Sequence, residues 1–171
     1  GRTGDRIDVW KKGVEDRLSI KLSLDAETAT RQSATEEAKE AARSLAGFIV
    51  GIKEREPDEL SELLKKTRVF CQMESADRSA WLNSIEANPP FFFEPPDLDP
   101  KSDFTRDYIK DLTSLAVELP PIDAETLPLL EEVAHFLNQD PKRIRADFES
   151  GLVRRMSRQL SPDQPNGQMK A

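Results

Sequence analysis

The sequence predicts an all-α fold: a helical bundle with one long N-terminal helix and two sub-bundles joined by a proline-rich connector. Three observations predict it. Apolar residues recur at three- and four-residue intervals through most of the 171 residues. Helix-starting Asp and Ser and helix-ending Pro punctuate those stretches. Only LSIKLSL, residues 18–24, alternates as a half-buried strand does, with Leu18, Ile20, Leu22 and Leu24 on one side.

Residues 1–24 read as an N-terminal arm. Ile7, Trp10, Val14 and Leu18 recur at helical spacing, and 18–24 reads equally as a helix carried onward or as one isolated β-strand. A lone strand has no ladder partner of its own, so its edge asks for a second copy, another protein or a further part of the chain. Residues 25–87 form the N-terminal helical half. Its first helix is expected over 25–56, capped by Asp25 and stopped by Pro57, which biases Glu56 away from helical backbone. Ala34, Ala38, Ala42 and Ala46 recur every fourth residue, and Gly47 and Gly51 continue the small-residue stripe. Such a face predicts a close helical neighbour. Short helices follow from Asp58 (Leu60, Leu63 and Leu64 inward) and over 75–87 (Trp81, Leu82 and Ile85 inward).

NPPFFFEPPDLDP marks the connector, placed at 88–99. Its prolines forbid helix and favour extended backbone. Three successive phenylalanines then point in different directions, and burying each is worth roughly 1.5–3 kcal/mol. The C-terminal helical half spans 100–160. Asp99-Pro100-Lys101 predicts a helix start with Asp99 as the cap. That helix carries Phe104, Tyr108, Ile109, Leu112, Leu115, Ala116 and Leu119 to Pro120 and Pro121. Another is expected from Thr126 to Asn138. The last begins at Asp140-Pro141-Lys142, with Ile144, Phe148, Leu152, Met156 and Leu160 as its apolar face. The tail 161–171 is polar, with proline and glycine, and is expected to be mobile.

Composition narrows the function. Net charge is −7, a field that disfavours general binding to nucleic acid or to anionic membranes. The longest apolar run, around 45–52, is far short of the ~20 residues that span a bilayer. One cysteine, Cys71, makes no internal disulfide, which suggests an intracellular setting. The opening GRTG, without Met, suggests a piece of a longer protein. No glycine-rich phosphate loop or zinc-ligand spacing is present, so no cofactor or metal is expected. His135 falls off the Leu130, Val133, Leu137 face and reads as a surface residue. Cys71, after an apolar helix end, reads as a buried structural thiol. No catalytic residue, and no enzymatic role, is expected.

EEVAHFLNQDPKRIRADFESGLVRR, residues 131–155, has the form of helix, turn and basic helix. Asn138 suits a left-handed turn position and Asp140 a helix cap. Over about twenty residues it resembles the DNA-reading unit of AraC-type regulators. It departs from that pattern at Gln139, where an apolar side chain is usual, and at Asp147. Across 142–158, six cations against two carboxylates leave a local +4. Arg143, Arg154 and Arg158 share one face, with Asp147 among them. Internal pairing of Arg143 with Asp147 is the preferred expectation.

The sequence therefore predicts a non-catalytic helical module for protein–protein interaction or self-association. Its expected partner-binding residues are Ile20, Leu22, Leu24, Phe91, Phe92, Phe93, Arg143, Arg154 and Arg158. The second expectation is a nucleic-acid-binding regulator using 131–158.

Overall fold

A computed structural model describes residues 35–160. The expectations for the arm, including Ile20, Leu22 and Leu24 and the strand-or-helix segment, lie outside the described residues. So does the tail. The described residues are all-α, with helices joined by turns and no strand. Residues 37–160 belong to one compact unit.

The first helix, α1, runs over 35–47 and closes in a π-helical turn, Phe48–Ile52. A short 3-10 turn, Pro57–Glu59, leads into α2 (Leu60–Lys65). Then come α3 (Arg68–Cys71), α4 (Ser75–Ala87), α5 (Asp103–Glu118), α6 (Thr126–Phe136) and α7 (Pro141–Gln159). Helices α5, α6 and α7 pack on one another, and α3 packs on α5. Both halves of the sequence supply the core: Leu45, Phe48 and Leu64 join Tyr108, Leu112, Leu130 and Ile144 in one buried cluster.

Local chemistry accounts for most boundaries. Asp140 caps α7, its carboxylate accepting from the Lys142 N–H at 3.0 Å, with Pro141 at the first helical position. Asn138 takes the left-handed turn conformation (φ 56°) as expected. The start of α5 differs from the expectation. Its cap is Ser102, which accepts from the Phe104 N–H at 3.1 Å, while Asp99-Pro100-Lys101 forms a preceding turn. Aspartate and proline suit a turn as well as a cap, and a second capping residue three positions on takes the helix start.

Helix α1 also ends earlier than Pro57 predicts, at Ile52, with Glu54 in left-handed backbone (φ 54°). Here the tertiary structure intervenes. Lys53 is 2% exposed, and its ammonium donates to the carbonyls of Ala116 (3.2 Å) and Pro121 (2.6 Å). It sits 5.7 Å from the centroid of the Phe48 ring. One lysine thus ties the end of α1 to the end of α5. A second tie is Asp111, a buried α5 residue whose carboxylate accepts from the Arg68 and Val69 N–H groups, both at 3.0 Å. It satisfies two donors at the start of α3. Burial pushes its carboxyl above the usual aspartate range, against the pull of those two N–H groups and of the Arg68 guanidinium.

Cys71 is exposed rather than buried, because only Val69 and Phe70 of the short α3 turn inward. The apolar face expected of α7 is buried only in its first half. Ile144 and Phe148 are inside and Leu152 is half-buried, but Met156 and Leu160 are exposed, as is Val153. The inward face there is taken by Gly151, against Val117, and by Arg155, which donates to the Val117 carbonyl at 2.7 Å.

Lys53→Met keeps the stem and removes both hydrogen bonds, so it is expected to cost about 2–3 kcal/mol. Urea unfolding checks this as a lower midpoint at unchanged slope. Burial, opposed by Asp123 and aided by Arg155 and Arg55, holds the Lys53 ammonium below its ordinary value of 10.5. In the window between the folded value and 10.5 the unfolded chain binds more protons, so this residue's contribution to stability rises with pH there. The gap between wild type and Lys53→Met is expected to widen as pH is raised through that window.

Candidate functional site

The extended backbone of the connector lies along the C-terminal part of α1 as a strap. Gly47 and Gly51, four apart in the sequence, present backbone with no side chain. A methyl group built on Gly47 would meet the Phe92 carbonyl oxygen at 2.5 Å, and one on Gly51 the Phe91 carbonyl oxygen at 2.8 Å. The small-residue stripe does admit a close neighbour. At its glycine end that neighbour is the strap, not a helix, because an extended segment needs the same bare surface that a helix would. Ala38, Ala42 and Ala46 are fully buried.

Three contacts hold the strap. Phe93 turns inward, half-buried, and meets the Phe48 ring edge-on at 5.5 Å between centroids. Ser44 donates to the Glu94 carbonyl at 2.5 Å, and its hydroxyl also lies 2.7 Å from that of Tyr108. Tyr108 is fully buried, and its hydroxyl is pushed well above the usual tyrosine range by that burial. Leu98 anchors the far end in the core.

With the backbone pressed on α1, the side chains to either side face outward. Phe91 is 65% and Phe92 82% exposed. Of the three phenylalanines expected to bind a partner, two are therefore on the surface and Phe93 serves the fold. Phe136, at the end of α6, is 62% exposed, and a groove of about 410 Å³ runs between it and Phe92. Prolines 90, 95 and 96 line this groove, with Glu40, Arg43 and Ser44 from α1 and Glu94 and Asp97 from the strap. Phe136 was absent from the expected partner-binding residues. Its signal was an aromatic residue lying off the apolar face of its own helix.

The three arginines expected on α7 are all exposed but are not equivalent. Arg158 pairs with Glu118 at 2.9 Å. Among the described residues no ion pair joins Arg143 to Asp147. Instead Arg145, from the neighbouring face, pairs with Glu131 of α6 at 2.9 Å. Asp147, Arg154 and Arg158 line a cleft of about 370 Å³ between α5 and α7, together with Arg68, Lys110, Glu118 and Gly151. Arg143 is not among the residues lining it. The helix–turn–helix shape is present, with α6 packed on α7. In its turn Leu137 is buried, while the Gln139 amide donates to the carbonyls of Pro100 and Leu137 at 3.0 and 2.9 Å.

His135 and Cys71 are both exposed. Among the described residues no three or more His, Cys, Asp or Glu side chains gather as a metal site, and no helix is long and apolar enough to cross a membrane. No family model, curated protein or solved structure matches the chain.

The strap contact carries its own test. An Ala for Gly exchange in a helical segment ordinarily stabilises by roughly 0.5–1 kcal/mol. Gly47→Ala is expected to do the opposite and destabilise by about 1–3 kcal/mol, since the methyl group collides with backbone that cannot rotate away. Thermal unfolding of the variant checks the sign.

Proposed function

We propose that the protein is a non-catalytic helical interaction module whose partner docks on the strap face. The observation that carries the reading is the display of Phe91 and Phe92 on backbone held by Gly47, Gly51, Ser44 and the Phe93–Phe48 contact. Two large aromatic side chains in water gain nothing for the fold. Fixed in place, they lose little backbone freedom on binding, which is how aromatic anchors come to dominate interfaces. Phe136 extends the same surface across a shallow groove. A single exposed thiol suits an intracellular setting.

Nucleic-acid binding through 131–158 has less support. Arg145, Arg155 and Arg158 are committed to Glu131, the Val117 carbonyl and Glu118, and Asp147 shares the cleft with Arg154. Phosphate contacts would have to come from the remaining cations, in a chain of net −7. A duplex or single strand shifted at low salt, and released by Arg143→Glu with Arg154→Glu, would favour that function instead.

A photo-crosslinking phenylalanine analogue tests the proposal in cells. Placed at position 92 or 136, it is expected to yield one defined protein adduct. Placed at Lys66, exposed on the far end of α2, it is expected to yield none of that adduct. Equal labelling from all three positions, or no adduct from 92 and 136, would overturn the reading.

A further inference from the structure

We infer that the groove between Phe92 and Phe136 receives a lysine- or arginine-bearing segment of the partner protein. This rests on the interaction-module reading and specifies the chemistry of the partner.

Among its described residues the groove offers few hydrogen-bond donors. Prolines 90, 95 and 96 have no N–H, and the Ser44 hydroxyl at the floor is already engaged with the Glu94 carbonyl and the Tyr108 hydroxyl. Glu40, Glu94 and Asp97, when ionised, accept hydrogen bonds and donate none. Among the described residues Arg43 is the one cationic donor in the lining. A ligand that satisfies this surface must therefore bring donors of its own.

Charge selects among donor-rich ligands. Among the described residues three carboxylates face one guanidinium, so their balance in the lining is −2, and all four side chains are exposed. None of the four has an ion pair or side-chain hydrogen bond among the described residues. The groove also lies beside the C-terminal end of α6, where Phe136 is the last helical residue and the helix dipole is negative. Finally, the faces of Phe92 and Phe136 attract cations, and guanidinium groups stack on them. Acceptors, net charge, helix polarity and aromatic faces all select a cationic side chain on an apolar stem. The same features repel a phosphate backbone and an acidic segment.

Selection from a random-peptide phage library tests this. Peptides are recovered on the wild-type protein after removal of those that also bind Phe92→Ser. They are expected to carry an excess of Lys and Arg beside apolar residues. Their affinity is expected to fall about tenfold or more in Glu94→Lys/Asp97→Lys and to weaken with salt. The neutral pair Glu94→Gln/Asp97→Asn gives an intermediate loss, and unchanged thermal midpoints establish that both variants fold. Recovered peptides that are neutral or acidic, or affinities indifferent to both pairs, would overturn the inference. So would a protein dimer lost in Phe92→Ser, which would make a second copy the occupant. Crosslinks at position 92 with charge-indifferent peptides refute only the cationic partner. Absence of crosslinks at 92 and 136 refutes the module itself.

Discussion

The carbonyls of Phe91 and Phe92 rest on α1 at two positions that carry no side chain, Gly47 and Gly51. That contact is the constraint on which the candidate surface depends. It brings extended backbone within van der Waals distance of helical backbone at Gly47 and Gly51. It also decides which way three identical side chains turn. Phe93 goes to the Phe48 ring, while its two predecessors are left in water. A bulkier residue at either glycine would lift the strap and release the pattern.

Two polar ties hold the frame that supports the strap. Lys53 joins the end of α1 to the end of α5 through two carbonyls, and Asp111 joins α5 to the start of α3 through two N–H groups. Each is an ionisable group moved out of water, which is costly unless its hydrogen-bonding capacity is met. Each is met by backbone groups at a helix end, where helices leave donors and acceptors unpaired. The fold thereby uses one kind of deficit to offset another. Arg155 of α7 follows a milder version of the same logic, on the Val117 carbonyl near the end of α5.

Much of the fold was legible in the sequence. The turn at Asn138, the cap at Asp140, the helix over 75–87 and the all-α architecture rest on interactions between residues within a few positions of one another. The candidate site was legible in part. NPPFFFEPP announced extended backbone with aromatic anchors, but not which anchors were free. Phe136 was missed because its neighbours on the groove, Glu40 and Asp97, are remote in sequence. Met156 and Leu160 kept helical spacing with Phe148 and still ended outside. Spacing along a helix says which residues share a face, not how far the neighbouring helix extends.

By itself, then, the sequence determined the turn at Asn138, the cap at Asp140 and the helix over 75–87, which segment had to be extended, and that small residues on α1 invited a close neighbour. Those outcomes follow from backbone sterics, capping and periodicity, which act over one or two turns. Only the tertiary structure decided that the neighbour at Gly47 and Gly51 is the strap, that Lys53 turns inward and α1 ends at Ile52, and that Phe92 and Phe136 share one acidic groove. Those outcomes depend on contacts between residues some forty to ninety positions apart. No local preference encodes them, because each exists only once the helices have packed.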